Sequence, residues 1–350
     1  MKKIFFFALL LQSICQQLAA QDAQFSQFYS SPLTLNPALT GAFDGKFRVS
    51  SIYRDQNQAV SQNPFKTFST ALDIKFDVNP RARMKDQMGV GITFVTDKTT
   101  GFDLNANSIM LSTSYIKALN QDNNQFLTLG LQGGVIQRNV NFGNLYFSDQ
   151  FDGYTQYALP TYETFTDANN FAVPDLNIGL NYTLAPKRGT VIFIGGAIHH
   201  LFSPRISFYK KKDTDERFAV FLEKKYSVQA SAQLGKSGAF KFIPRVLWAI
   251  QGQHQQISAG TDTRFIVNTY NGTAMHLGAW AHASRNLASP VGMEGVTALI
   301  GIEYSNFLIG ISYDANLKSI ASFGRRQGGI EFSFAYLGNY DNETILCPKF

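Results

Sequence analysis

The residues best suited to chemistry are five histidines and one nearby serine. The histidines lie at positions 199, 200, 254, 276 and 282. Neighbouring side chains of a β-strand face opposite ways, so His199 and His200 are predicted not to share a metal ion. His276 and His282 are an even number of residues apart and are predicted to share a face. Ser203 in HHLFSP could be a nucleophile beside His200, or simply part of a Ser-Pro turn after a strand.

The other chemical signals are weak. The chain contains no GxSxG, HExxH, P-loop or CxxC motif. A hydrogen-bonded polar residue is therefore the simpler interpretation of each histidine. Of the two cysteines, Cys15 lies in the leader described next, which leaves Cys347 without a partner for an internal disulfide. The sequence predicts a protein that is not an enzyme and has no cofactor or metal site.

Residues 1–20 have the features of a signal peptide. Lys2 and Lys3 precede an apolar run, residues 4–11, and Leu18-Ala19-Ala20 offers a cleavage site. The run is too short to cross a bilayer as a helix. Loss of the two lysines leaves 29 basic residues against 25 acidic ones, a net charge of about +4. We find no basic stripe of the kind that nucleic acid requires, so no nucleic-acid partner is predicted.

The segments in which these residues lie follow a two-residue period of apolar and polar side chains. In residues 174–185, PDLNIGLNYTLA, apolar side chains alternate with polar ones, which indicates a strand with one apolar and one polar face. With 14% aromatic and only 16% charged residues, the chain is predicted to be all-β. About fourteen such segments start near residues 46, 66, 88, 105, 125, 174, 190, 224, 240, 257, 273, 294, 306 and 324.

Two packings of these strands compete, a soluble sandwich and a transmembrane antiparallel β-barrel. Asp73 and Lys75 share the polar face of their segment, and Glu303 and Glu331 lie opposite apolar faces. Such charges suit a wet lumen. Many segments are ten to twelve residues long, which fits a tilted membrane strand. We therefore predict a barrel of about fourteen strands over residues 45–337.

The links between the segments alternate in length. Short ones include 119–124, 186–189 and 305–306, and they interleave with long ones at 57–65, 138–173, 202–223 and 284–293. Outer-membrane barrels have short periplasmic turns and longer outer loops. With an even strand count, this pattern places both termini in the periplasm, including a C-terminal tail over residues 338–350. A cluster at Lys210-Lys211-Lys212 would then face outside, where it could meet anionic lipopolysaccharide.

The segment over residues 21–44 fits neither a helix nor a strand. It contains FSQFYSSPLTLNPALTG (25–41), in which Pro32 and Pro37 interrupt an apolar stretch. Because proline fixes φ and lacks an N–H group, we expect an extended conformation, with a turn at Asn36-Pro37 and a sharp bend at Gly41. Its aromatic side chains cannot be left in water cheaply. The segment is predicted either to plug the periplasmic mouth of the lumen or to dock a periplasmic partner.

The 138–173 link is long and rich in aromatic residues, which argues against disorder. It is expected to cap the barrel mouth, to offer a docking surface, or both. The plug or partner-docking candidates from both regions are Phe25, Phe28, Tyr29, Pro32, Asn36, Pro37, Gly41, Tyr146, Phe147, Asp149 and Phe151.

Several of these segments, in chain order, carry a family resemblance. QDAQFSQFYSSPLTLNPALTG (21–41) is similar to the opening Q-F-S-Q-x-x-x-x-P-x-x-x-N-P-A-x-x-G of the PorP/SprF family of the type IX secretion system of Bacteroidetes. The later segments LYFSDQFDG (145–153), GGAIHHLFSP (195–204) and GGIEFSFAY (328–336) extend the resemblance over nearly all of the mature chain. The resemblance implies an outer-membrane barrel, in agreement with the pattern above.

The resemblance also implies a function. Members of the family are not known as enzymes. Some link the outer membrane to the periplasmic ring of the secretion machine, and others serve one secreted adhesin, often in gliding motility. The expected partners are therefore periplasmic ring proteins, the translocon, the C-terminal domain of an adhesin, and outer-membrane lipid. The alternative from the strand pattern is a diffusion porin or a barrel that transports hydrophobic ligands, since fourteen strands can enclose a path or cavity.

Overall fold

The chain folds as a closed antiparallel β-barrel of fourteen strands, in which β1 pairs with β14. This confirms the fold predicted from the two-residue period. The computed structural model describes residues 22, 24–56, 65–99, 103–141, 143, 145–154, 156–162, 169–187, 189–208, 220–235, 240–268, 272–286, 289–317 and 328–338. The predicted signal peptide, the Lys210–Lys212 cluster, Cys347 and all of the predicted tail except Gly338 lie outside these residues.

Each strand pairs with its sequence neighbours, so the barrel is an up-and-down meander. The strands are β1 (Phe47–Gln56), β2 (Phe65–Asp77), β3 (Gln87–Thr99), β4 (Leu104–Ala118), β5 (Gln125–Asn139), β6 (Asn170–Lys187), β7 (Thr190–His199), β8 (Lys225–Gln233), β9 (Phe240–Gln251), β10 (His254–Asn268), β11 (Thr273–Asn286), β12 (Ser289–Tyr304), β13 (Phe307–Asn316) and β14 (Gly328–Leu337). None of the helices in the described part of the chain has the length and apolar character needed to span a membrane.

The side chains of the wall are polar inside and apolar outside, the reverse of a soluble protein. In β2, Asp73 and Lys75 are buried in the lumen, whereas Leu72, Ile74 and Phe76 are 43–47% exposed on the outer face. Successive side chains of a strand point to opposite faces, so one sequence can serve lipid and lumen at once. This inversion is the arrangement of a transmembrane barrel.

The links gather at two ends of the barrel, which we name for their lengths. The turn end carries 78–86, 119–124, 188–189, 234–239, 269–272 and 305–306. The loop end carries the long links 140–169 and 200–224, but also the two-residue links 252–253 and 287–288. The long link predicted over 284–293 is therefore wrong, because β11 and β12 continue through most of it. Register shifts at His282/Ala283 and Ser284/Asn286 break the alternation there and hid the strands.

Residues 24–44, which we call the lumen segment, lie inside the barrel. Their conformation differs from the expected extended one, because they form three short helical turns, Phe28–Ser30, Pro32–Leu35 and Pro37–Leu39. Pro32 and Pro37 each occupy the first turn of a helix, where the missing N–H group is not needed and the fixed φ is suitable. The prolines therefore start turns here instead of holding the chain straight.

The lumen segment runs from the loop end to the turn end. Asp22 and Ser26 contact residues at the loop end of the wall, His200 and Asp314, whereas Gly45 lies against Gly338 at the turn end. Asp22 and Gly338 are the outermost described residues of the chain, and they lie at opposite ends of the barrel. The expectation that both termini lie in the periplasm stays a prediction, because the residues before Asp22 and after Gly338 lie outside the described ranges.

Candidate functional site

The candidate site is the lumen segment together with the wall residues that hold it. The site candidates Phe25, Phe28 and Tyr29 are at most 8% exposed, and Asn36 is fully buried. Pro32, Pro37 and Gly41 are also buried. The structure thus brings all seven candidates of residues 25–41 into the lumen, where Leu33 and Phe43 join them with no exposed surface.

Charged wall residues near the loop end bind the backbone of the lumen segment. The N–H groups of Ser26 and Gln27 donate to the two carboxylate oxygens of Glu331, at 2.7 and 2.8 Å. Arg54 pairs with Glu331 at 2.7 Å and with Asp314 at 3.1 Å, and it also donates to the carbonyl oxygen of Gln24. A buried carboxylate is stable only when it is paired and hydrogen-bonded. Glu331 therefore needs the N–H groups of the segment, and the segment is held in place by Glu331.

Asp22 forms a second contact at the loop end. Its carboxylate lies 2.9 Å from His200 Nε2 and 3.4 Å from Lys225 Nζ, while His200 Nδ1 lies 2.9 Å from Asp175. Burial disfavours the charged imidazole, but the carboxylates of Asp22 and Asp175 outweigh it and raise the pKa of His200 to about 9. Burial alone would raise the pKa of Asp22, yet Lys225 and His200 hold that pKa well below its usual range.

His200 does not face away from the lumen as an alternating strand predicts. It follows the last residue of β7 and adopts φ 57°, a left-handed conformation, and both His199 and His200 are buried. His199 contacts the carbonyl oxygen of Leu35 at 3.3 Å. Because both ring nitrogens of His200 face carboxylates, neither is directed at Ser203, whose backbone N–H closes a turn on the carbonyl of His200.

The middle of the lumen segment lies against a wall made of glycine. Gly130 and Gly179 face each other across β5 and β6. A Cβ atom on Gly179 would lie 1.9 Å from Asn36 Oδ1, and one on Gly130 would lie 2.3 Å from the backbone nitrogen of Ala38. Asn36 also donates to the carbonyl oxygens of Leu180 and Gly196, each at 3.2 Å. Sequence reasoning did not identify these glycines, whose only signal was their place on the polar face.

The turn end of the segment is held by a buried ion pair. Arg48 and Asp73 are 2.8 Å apart and almost fully buried. Arg48 donates to the carbonyl oxygen of Leu39 at 3.0 Å, and Asp73 accepts from the N–H of Gly41 at 2.8 Å. Gly41 has φ 73°, which glycine adopts without strain. The chain therefore bends at Gly41, as predicted, and continues toward β1.

Aromatic and cationic contacts hold the rest of the segment. The guanidinium carbon of Arg245 lies 3.9 Å from the ring centre of Tyr29, and the Tyr29 ring packs 5.5 Å from that of Trp280. Phe43 lies between Arg48 and Lys75, whose charged groups are 4.8 and 5.2 Å from its ring centre. Such cation–π contacts strengthen when water is excluded, as it is here.

Two further histidines, His276 and His282, take part in polar networks of the wall. His276 contacts Asp262 at 3.0 Å and Glu303 at 3.5 Å. His282 lies between the hydroxyl groups of Ser258 and Thr297, at 2.8 and 2.7 Å. Within the described ranges, no group of three or more His, Cys, Asp or Glu side chains is arranged to hold a metal ion.

The candidates in the β5–β6 link, Tyr146, Phe147, Asp149 and Phe151, lie outside the lumen segment. Tyr146 is 75% exposed, and its ring packs 5.6 Å from that of Tyr157. Phe151 pairs with Tyr157 in an isolated bridge, and Asp149 accepts from the N–H of Tyr162 at 2.7 Å. The link is therefore ordered by contacts within itself, and it presents several aromatic rings to the surroundings.

The β7–β8 link, rather than the β5–β6 link, has described side chains in the loop end of the lumen. Its residues Ile206 and Leu222 are buried against Met110 and Ile136. Leu222 borders a cavity of about 390 Å³ at the loop end. A second, more polar cavity of about 410 Å³ lies on the other side of Asp22, Gln24 and Phe25, which line both.

Comparison with known proteins identifies a family. The profile described as "Type IX secretion system membrane protein PorP/SprF" matches residues 17–336. No protein of curated function matches the chain significantly.

Several solved structures resemble the barrel at low sequence identity. The toluene transporter TbuX of Ralstonia pickettii matches with a TM-score of 0.49 and 10% identity, over 91% of this chain and 96% of that one. TodX of Pseudomonas putida, also a toluene transporter, gives 0.46 and 13%, over 92% and 96%. The CymD monoaromatic hydrocarbon channel gives 0.49 and 10%, over 92% and 96%. The transport and channel activities in these names belong to those proteins.

Proposed function

Since the chain belongs to the PorP/SprF family of type IX secretion system membrane proteins, we propose that it is a non-enzymatic component of that system in the outer membrane. It binds protein partners, namely periplasmic ring components, the C-terminal domain of a secreted adhesin, or both. It thereby serves the export of that adhesin or its anchoring at the cell surface, including in gliding motility.

The proposed orientation places the turn end in the periplasm and the loop end outside, as in other outer-membrane barrels. The β5–β6 link, with exposed Tyr146, Tyr154 and Tyr162, is then the docking surface for a partner outside the cell. Tyrosine gives large contact area at low entropic cost and is enriched at interfaces. In this orientation Asp22 lies at the outer end of the lumen, opposite Gly338.

The observation that carries the proposal is the lumen segment, which crosses the barrel from end to end. It contacts β14 through Gln27, β5 and β6 through Asn36 and Ala38, and β2 through Gly41. A diffusion porin requires a continuous water path, and a transporter of hydrophobic ligands requires a passage. A barrel that fills its lumen with its own chain is better suited to hold partners than to conduct solutes.

Planar-bilayer recording tests this choice. The purified protein is expected to show little conductance, and deletion of residues 22–40 is expected to open a steady pore. A control that lacks residues 152–157, at the exposed tip of the β5–β6 link, should stay closed. Large steady conductance of the unmodified protein would contradict the proposal and favour the porin. If the deletion left conductance unchanged but abolished partner binding, the lumen segment would be a docking element.

Partner capture tests the secretion role directly. The protein is purified in mild detergent from its own cells and its companions are identified by mass spectrometry. Secretion components or a large secreted adhesin should be recovered in stoichiometric amounts. Recovery of assembly chaperones alone would remove the support for this role.

A further inference from the structure

We propose that the loop-end cavity beside Asp22 is a binding site for a small amphipathic carboxylate, whose charged group pairs with Arg138. The cavity has a volume of about 390 Å³, within the range of about 300–1,000 Å³ that is usual for small-molecule sites. It extends from Arg138 at the loop end of β5 down to Phe28 and Leu35 of the lumen segment.

The body of the cavity suits an apolar group. Its wall includes Val95, Leu104, Met110, Ile136 and Leu222. Met110, Ile136 and Leu222 belong to one packed cluster, in which each side chain is less than 8% exposed. Burial of an apolar ligand group against this wall is favourable by about 25 cal/mol for each Å² removed from water.

The charged groups around the cavity are unequally satisfied. Asp22, Asp175, His200 and Lys225 form one set of ion pairs at 2.9–3.4 Å. Asp97 accepts a hydrogen bond from the hydroxyl of Thr67 at 2.6 Å. No described carboxylate lies within ion-pair distance of Arg138, and its buried Nε has no hydrogen-bond partner among the described residues. Arg138 is therefore the group that a ligand would satisfy.

The chemistry of this arrangement selects a carboxylate. Guanidinium binds a carboxylate through two parallel hydrogen bonds, whereas a wholly apolar ligand would leave the buried Nε–H of Arg138 without a partner. Asp22 and Asp175 already pair with His200 and Lys225, so Arg138 alone faces the ligand and matches one negative charge better than the two of a phosphate monoester. A ligand with one negative charge and an aliphatic or aromatic body satisfies both Arg138 and the apolar wall of the cavity. Since Phe28 and Leu35 form the inner end, a bound molecule also packs on the lumen segment.

Calorimetric titration of the full-length barrel in nanodiscs tests the site with three matched probes: sodium octanoate, 1-octanol and octylammonium chloride. Octanoate should bind at least about tenfold more tightly than the other two, because a hydrogen bond to a charged group is worth about 1.5–3 kcal/mol. Empty nanodiscs give the lipid background. Equal binding of octanoate and octanol to the unmodified barrel, or no binding of octanoate above background, would overturn the proposal.

Arg138→Gln should weaken octanoate binding about tenfold and leave octanol binding unchanged. The matched control is Lys98→Gln, which removes a cation from the exposed face of β3, two strands away from β5, and should leave both affinities unchanged. Folding of each variant is checked by its heat-modifiable electrophoretic mobility. Undiminished octanoate binding by folded Arg138→Gln would refute the role of Arg138. If this variant does not fold, the three-probe comparison on the unmodified barrel still decides.

Discussion

The lumen segment and the β5–β6 link are alike in composition and opposite in environment. Phe25, Phe28 and Tyr29 are at most 8% exposed, whereas Tyr146 and Tyr154 are 75% and 88% exposed. Both are irregular and aromatic. The two regions differ in the partners of their polar groups. The segment forms hydrogen bonds to the barrel wall, whereas the described contacts of the link are mainly between its own residues.

This comparison separates two roles for an aromatic residue. In the segment, aromatic rings fill space that would otherwise hold water, and their neighbours satisfy wall charges such as Glu331. In the link, the rings remain available at the surface. Changes in the segment should therefore affect stability and closure, and changes in the link should affect partners alone.

The largest effect is expected at the turn-end ion pair. Asp73→Ala removes the carboxylate that pairs with the buried Arg48, and loss of one member of a buried pair costs about 3–5 kcal/mol. Urea unfolding of the refolded barrel should show that loss, together with raised conductance. Asp122→Ala, in an exposed turn, is the control. Equal stability of the two variants would mean that the lumen segment does not depend on this pair.

The next effect is expected at the glycine wall. Gly130→Ala places a Cβ atom 2.3 Å from the backbone of the lumen segment, and overpacking of this kind costs about 1–3 kcal/mol. Gly133→Ala, on the same strand, meets no atom closer than 3.5 Å and should change little. Unfolding free energies and bilayer conductance would both report the difference. Equal unfolding free energies for Gly130→Ala and Gly133→Ala would show that the segment is not tightly seated there.

A smaller effect is expected from pH at His200. Its pKa is raised from 6.5 to about 9 in the folded protein, so its stabilising contribution is complete below pH 6.5 and is lost as pH rises through about 9. Hydrogen exchange of residues 24–28, corrected for intrinsic rates, should speed up between pH 7 and pH 9.5. His200→Gln should remove this change. The same change in both proteins would assign it to another group.

The smallest effect on stability is expected in the β5–β6 link. Tyr154→Ser and Tyr162→Ser alter exposed side chains, so the free energy of unfolding should shift by no more than about 0.5 kcal/mol. Recovery of protein partners in the mild-detergent capture should fall. Undiminished capture would place the docking surface elsewhere.

The strands and their two faces could be predicted from the sequence alone. The period-two pattern placed fourteen segments close to the observed strands. Each strand alternates between lipid and lumen, so its own sequence alternates between apolar and polar residues. The predicted link between β11 and β12 was too long, because bulges interrupt the alternation at the ends of these strands. The family was likewise readable from Asn36-Pro37-Ala38 and the residues around it.

The path of the lumen segment and the contacts that hold it could not be predicted from the sequence, because they depend on the tertiary structure. Ser26 meets Glu331 across 305 positions of the chain, and Asp22 meets His200 across 178. No local pattern encodes such contacts. The direction of the segment depends on which wall charges it satisfies, and the approach of Asn36 depends on glycines brought side by side by strand register. These are properties of the closed barrel, since each strand contributes only a few of the groups that the segment contacts.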